Sequence, residues 1–215
     1  VRTHASLELG GFHAHIGSQI FENDSFEISA QRLIELLAKY REEYSAELPE
    51  LDLGGGYGIA YLPGENSLDP ASTMKALAEV VSTQCAAHKL SIPRISIEPG
   101  RAIVGPTMFT LYEVGTIKDV TLENGANRRY VSVDGGMSDN PRPVMYGSGY
   151  ELFMPAHANA DRTESIRLVG KHCESGDILI SETFAPAGLR VGDLVATPVT
   201  GAYGHSMGSN YNKVT

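Results

Sequence analysis

Three consecutive glycines, Gly54-Gly55-Gly56, close the short apolar run Leu51-Asp52-Leu53. A stretch without Cβ atoms at the end of a buried strand constrains this chain more than any other feature. It lets neighbouring backbone come close, and it lets amide N–H groups gather around a bulky anion, for which phosphate is the usual guest. Further along, Glu98-Pro99-Gly100-Arg101 sets a carboxylate and a guanidinium around a Pro-Gly turn. The two motifs together suit a ligand carrying a phosphate and a basic ring nitrogen. Taken singly, the glycines are explained equally well by a tight strand-to-helix turn. An internal Glu98–Arg101 ion pair explains both charges, though not their place after the glycine turn.

The first half alternates strand and helix. Gly11 to Gly17 reads as a short strand entering a loop. Asp24 and Glu27 are spaced as a capping box, and Phe26, Leu33, Leu37, Tyr40 and Tyr44 recur at helical spacing, which predicts a helix over about 25–45. Asp69-Pro70 is an N-cap and N1 pair, followed by Met74, Leu77, Val81 and Cys85 on one face, which predicts a helix over about 70–89. Arg94 to Ile97 is a further strand, ending at Glu98, which is expected to be buried and to need a positive partner. Ligand-type residues at the C-terminal end of each strand are the mark of an α/β barrel or a doubly wound sheet.

After Gly105-Pro106 the pattern changes. Thr110–Ile117, Arg129–Val133 and Asp177–Ile180 are β-rich, turn signals stand at Asn124-Gly125 and Gly135-Gly136, and helical periodicity is lost. The expected organisation is α/β plus β: residues 1–105 in an α/β domain and 106–215 in a mostly antiparallel β-domain.

Composition removes several classes of function. A net charge of −9 argues against nucleic-acid binding, and no run of apolar residues is long enough for a membrane helix. No signal peptide is visible. Two distant cysteines, Cys85 and Cys173, make a reduced, cytoplasmic setting the default over a disulfide. The chain begins at Val1 rather than Met, and it stops soon after a run of Gly, Tyr, His and Asn that reads as a site loop. A longer protein is expected.

The other candidate site residues each carry two readings. His15, in His15-Ile16-Gly17-Ser18-Gln19, is an imidazole packed on a flat ligand with Ser18 donating to a phosphate, or else a satisfied core histidine. Cys173, beside Glu174, is a proton-transferring thiol or a buried structural cysteine. Arg142, between Pro141 and Pro143 and followed by Tyr146, is a fixed fork for a carboxylate or part of a solvated loop. Tyr203, in Gly201-Ala202-Tyr203, brings a phenol to a ligand or turns a corner. His13, His88, His157, His172 and His205 show no metal-ligand spacing, so no metal site is expected.

The motifs His15–Gln19, Gly54–Gly56, Glu98–Arg101, Asp134-Gly135-Gly136, Cys173-Glu174-Ser175-Gly176-Asp177 and Gly201–Tyr203, in this order, resemble the fold-type III decarboxylases that use pyridoxal 5′-phosphate, and within them the diaminopimelate branch. The resemblance runs from about residue 10 to the end of the chain. It implies the last part of a (β/α)8 barrel followed by the β-domain, and decarboxylation of meso-2,6-diaminopimelate to L-lysine with release of carbon dioxide. It also implies roles. His15 stacks on the cofactor ring, and Ser18 with the Gly54–Gly56 backbone holds the phosphate. Glu98 pairs with the pyridinium nitrogen, inside the segment completed by Pro99 and Gly100, and keeps the ring an electron sink. Arg101 reaches the phosphate or a substrate carboxylate, and Tyr203 touches cofactor and substrate. Arg142, Tyr146 and Glu174 bind the distal end of the substrate, and Cys173 protonates the carbanion. The Cys-Glu segment serves the partner subunit's site, which implies an isologous homodimer.

One feature departs from the family pattern. None of Lys39, Lys75, Lys89, Lys118, Lys171 or Lys213 lies in the context of the family's Schiff-base lysine, which is expected before Val1, so the 215-residue piece is expected to be inactive alone. The nearest rivals are decarboxylases of ornithine, arginine or carboxynorspermidine. More distant ones are alanine racemase, a non-catalytic pyridoxal phosphate carrier and a phosphate-binding barrel without that cofactor.

Overall fold

The computed structural model describes residue 1 and residues 3–214. It divides into two compact units, Val1–Ile59 with Asn66–Ala102, and Ala60–Glu65 with Ile103–Thr215.

In the first unit three parallel strands lie side by side in the order β1 (Gly11–His13), β2 (Glu50–Gly55), β3 (Arg94–Glu98). Parallel neighbours need crossovers, and two helices supply them: α1 (Asn23–Tyr44) and α2 (Pro70–Ala87). Phe26, Ala30, Leu33, Ile34 and Leu37 form one stripe of α1, buried with Leu51 and Leu53 of β2 and with Leu77, Val81 and Cys85 of α2. Tyr57 joins this core and stacks on Phe26 at 4.8 Å; burial, with the charge of Asp52 adding to it, pushes its phenol up to about 12.

Side chains of a strand alternate between its two faces. Leu51 and Leu53 are in the core, so Asp52 points to the face away from the helices. The same alternation sets His13 opposite Phe12, and Glu98 opposite Ile97, since both of those apolar residues pack on the core. Glu50 and Arg94 are paired across this helix-free face as well.

α2 starts as its sequence predicts: Asp69 caps it, accepting the Ser72 N–H at 2.8 Å, and Pro70 is its first residue. α1 does not. Its N-cap is Glu22, with no side-chain capping bond, and Asp24 already lies inside the first turn. From a helical position Asp24 cannot fold back over the orphan N–H groups as a cap does. Its carboxylate favours the helix N-terminus through the macrodipole instead.

The second unit carries a five-stranded sheet in the order β7 (Ile178–Pro186), β6 (Arg162–Val169), β5 (Asn127–Val133), β4 (Phe109–Thr121), β8 (Leu194–Pro198). Three of its four pairings are antiparallel and β5–β6 is parallel. The parallel pair requires a long connection, and residues 134–161 provide it. That connection contains α4 (Arg142–Tyr146), where the sequence shows only an irregular loop. The turn at Asn124-Gly125 joins β4 to β5. Strands β6 and β8 have no counterpart in the sequence reading, because their inward residues, such as Ile166, Leu168 and Val195, are too few to stand out from the surrounding loops. The segment Ala60–Glu65, although between β2 and α2, belongs to this second unit. Tyr61 meets Tyr150 edge-on at 5.4 Å, and Leu62 lies against Gly149.

Candidate functional site

In a parallel sheet all strands end at the same edge, so whatever follows β1, β2 and β3 gathers there. His15 and Ser18 follow β1, Gly54–Gly56 end β2, and Glu98 ends β3; Pro99 then leads into α3 (Gly100–Val104), which carries Arg101. The glycines hold these segments together. A Cβ on Gly54 would lie 2.3 Å from the Ala14 carbonyl oxygen, one on Gly55 2.2 Å from that of Glu98, and one on Gly56 2.1 Å from that of Gly17. Gly54 and Gly56 also take φ values of 71° and 100° that other residues rarely adopt.

Two of the glycine N–H groups are engaged inside the cluster. Gly54 donates to Asp52 Oδ1 at 2.9 Å, and Gly55 donates to His15 Nδ1 at 3.2 Å. With Nδ1 accepting, the imidazole carries its proton on Nε2. His15 is exposed, which rules out the core-histidine reading. Arg101 Nη2 donates to Ser18 Oγ at 2.7 Å, so a cation and a hydroxyl stand side by side.

Glu98 departs from its expected burial. Its side chain is 52% exposed, because it points to the helix-free face, and it pairs with His13 Nε2 at 3.1 Å. His13, Asp52 and Glu98 each place a potential ligand atom within 4.8 Å of the others. No regular spacing in the sequence joins these three residues; strand register does, since His13 stands opposite Asp52 and Gly55 opposite Glu98. A hydroxyl and guanidinium suit a phosphate, an exposed imidazole suits a flat ring, and a carboxylate suits a basic ring nitrogen. The residues present fit pyridoxal phosphate.

The second unit holds two further groups of candidates. Arg142 is 6% exposed, which excludes the solvated-loop reading. Its guanidinium lies 5.2 Å from the Tyr61 ring centroid and 5.7 Å from those of Tyr146 and Tyr203. Nε donates to the Tyr150 hydroxyl at 3.0 Å and Nη2 to Ser148 Oγ at 3.1 Å. Tyr203 is brought into place by Gly201, where a Cβ would lie 1.8 Å from the Val104 carbonyl oxygen. Arg142, Tyr146 and Tyr203 therefore share one cluster.

Cys173 and Glu174 lie on the loop between β6 and β7, both exposed. Cys173 is thus not a buried structural cysteine, whereas Cys85 is. Asp177, 2% exposed, anchors this loop by accepting the N–H groups of Met137 at 2.7 Å and His172 at 2.8 Å. Gly136 and Gly170 leave the room, since a Cβ on either would lie 2.7 and 2.2 Å from its Oδ2. His172 Nε2 meets Ser138 Oγ at 2.8 Å, and the Tyr211 hydroxyl donates to Glu174. Asp177 closes the motif that holds the thiol, yet its anchoring role is invisible without the loop around residues 135–138.

Two family models match the chain. The pyridoxal binding domain of pyridoxal-dependent decarboxylase matches residues 1–105, and the C-terminal sheet domain of the same decarboxylases matches residues 61–201. A diaminopimelate decarboxylase from Corynebacterium efficiens is 47% identical over 207 residues, which is 96% of this chain and 45% of the relative. One from Mycobacterium bovis is 49% identical over 212 residues, 97% of this chain and 47% of the relative. The chain thus spans about half the length of the curated relatives it matches. A crystal structure of diaminopimelate decarboxylase from m. jannaschii in co-complex with L-lysine superposes with a TM-score of 0.83 at 28% identity, covering 93% of this chain and 44% of that one.

Proposed function

The chain belongs to the pyridoxal-dependent decarboxylase family, and on that premise we propose that its protein decarboxylates meso-2,6-diaminopimelate to L-lysine and carbon dioxide. The relatives at 47% and 49% identity are diaminopimelate decarboxylases. The observation that carries the choice of substrate is Arg142. A guanidinium 6% exposed, walled by tyrosines, with Nε and Nη2 already committed, leaves Nη1 for a carboxylate of the ligand. Diaminopimelate has a carboxylate at its distal end; ornithine, arginine and carboxynorspermidine do not need one read.

Pyridoxal phosphate, when bound, supplies the sink for the electron pair left as the carboxylate departs. The chain's own residues do the rest. Ser18 and Arg101 hold the phosphate beside the Gly54–Gly56 backbone, within the turn that Pro99 and Gly100 shape. His15, its ring fixed through Nδ1, covers the flat face, and Glu98 keeps the ring nitrogen protonated. Arg142 and Glu174 bind the distal carboxylate and ammonium, with Tyr146 and Tyr203 alongside. Cys173 Sγ gives its proton to the carbon that has lost carbon dioxide, so that one C–H bond replaces one C–C bond, and it recovers a proton from solvent.

The same reading includes an isologous homodimer in which the exposed Cys173-Glu174 loop serves the partner's site. An exposed thiol and a buried free thiol suit a reducing, cytoplasmic setting. Among the described residues no helix is long and apolar enough to cross a membrane.

A substrate panel on the full-length, cofactor-loaded protein tests the proposal. Lysine and carbon dioxide from meso-diaminopimelate are expected, with turnover of ornithine and arginine at least a hundredfold slower in kcat/KM, about 3 kcal/mol of discrimination. Faster turnover of either would move the protein to that sister activity.

A further inference from the structure

His13 takes no part in the proposed reaction, yet it stands among the residues proposed to hold the cofactor. It ends β1, its Cα stands in register with that of Asp52, and its Nε2 meets Glu98 Oε2 at 3.1 Å. All three side chains point to the helix-free face, at the strand ends where ligand-type residues collect. Two carboxylates within 4.8 Å of one another repel unless a positive or donating group stands with them. His13 is that group. Asp52 is itself fixed, because its Oδ1 accepts the Gly54 N–H at 2.9 Å. Glu98 has no such backbone donor on its carboxylate among the described bonds, and its side chain is 52% exposed. A carboxylate so placed on the end of a strand is free to rotate, and a single hydrogen bond to one oxygen decides where the other oxygen points.

We propose that His13 is a positioning residue that holds Glu98 Oε2, so that Oε1 is presented to the ring nitrogen of the cofactor. This inference rests on the pyridoxal phosphate reading of the site and deepens it. The proton shared between Glu98 and the ring nitrogen then depends on His13 through its bond to Glu98. A negative charge steadied by His13 favours the protonated ring, which is the form that accepts an electron pair.

The test uses the full-length protein and pyridoxal phosphate labelled with 15N at the ring nitrogen. Two quantities are read: the cofactor dissociation constant by fluorescence titration, and the 15N shift of the bound ring. His13→Leu and His13→Asn remove the bond to Glu98, the second without changing polarity, and His13→Gln keeps an N–H near the original Nε2. The expected result is a dissociation constant raised about tenfold in His13→Leu and His13→Asn, the effect of one hydrogen bond to a charged group, with the 15N shift displaced toward the unprotonated ring. His13→Gln restores both. Because His13 is half-exposed, His13→Asn is expected to melt with the wild type, which separates loss of the bond from loss of the fold. An unchanged dissociation constant and 15N shift in a folded His13→Asn protein would overturn the role of His13 while leaving the cofactor reading intact. A wild-type protein that binds no pyridoxal phosphate would overturn both.

Discussion

Tyr112 donates its hydroxyl to Asp139 Oδ2 at 2.6 Å, and the other oxygen of Asp139 accepts the Gly136 N–H at 2.7 Å. One buried phenol on β4 thereby fixes the loop that leads to Arg142. Burial, with the charge of Asp139 and the bond to it, pushes the phenol well above its ordinary range, so it stays a donor. Gly135 is required beside it, because a Cβ there would lie 2.2 Å from the Tyr112 ring. Tyr112→Phe removes a bond to a charged acceptor and is expected to cost about 1.5–3 kcal/mol. Urea denaturation of the full-length protein checks the value; an unchanged midpoint would show that Asp139 finds another donor.

Asp177→Asn replaces an acceptor of two N–H groups, that of His172 buried and that of Met137 partly so, by a side chain that must present a donor to one of them. A loss of about 2–4 kcal/mol is expected, with a fall in kcat as the Cys173 loop loosens. Iodoacetamide labelling of Cys173 reports the loop directly, and its rate should change in this variant. Gly170→Ala should behave at least as badly, since its Cβ would lie 2.2 Å from the Asp177 carboxylate.

Arg142→Lys keeps the charge but loses the planar fork that spans Tyr150 and Ser148. The KM for meso-diaminopimelate should rise about tenfold or more. Cofactor affinity should stay as it was. A fall in cofactor affinity with KM unchanged would assign Arg142 to the cofactor rather than to the substrate.

Asp69 caps α2, and the Ser72 N–H holds its carboxyl below the usual carboxylate range. Its folded pKa is therefore depressed, so the stabilisation is complete above the unfolded value. It is lost as pH falls through the lower, folded value, and so appears on the acid side, below about pH 4. Asp69→Asn, itself a capping residue, should melt close to wild type at pH 7 while losing that acid-side slope. Thermal melts across pH 2–7, at roughly half-unit steps, would show identical slopes if the cap carried no charge effect.

Mixing two variants tests the proposed homodimer and its shared site. Cys173→Ala and Glu98→Ala subunits, unfolded and reassembled together, should recover about one quarter of wild-type activity, because half of the dimers are mixed and each holds one intact site. No recovery would place both residues in a site built by one subunit.

Much of this protein is legible in its residues. Apolar positions at helical spacing locate α1 and α2, since burial of one stripe against a sheet is a local pattern. Glycines and charges at the ends of β2 and β3 mark the site edge because strand direction alone brings them there. The capping box misleads because Asp24 satisfies a spacing rule from two positions too far into the helix. Strands β6 and β8 are hidden because a strand's inward residues are few, and β8 besides pairs with β4, far earlier in the sequence.

The sequence by itself determined the alternation of elements, the family, and the residue types on offer: His15, Glu98, Arg101, Arg142, Cys173. Only the tertiary structure decided which of them meet. The pairing of His13 with Glu98, the anchoring of the Cys173 loop by Asp177, and the burial of Arg142 under Tyr61, Tyr146 and Tyr203 join residues between 4 and 85 positions apart. Strand register and close backbone approach set these meetings. Both arise from burial summed over the whole core, which no single stretch of sequence encodes.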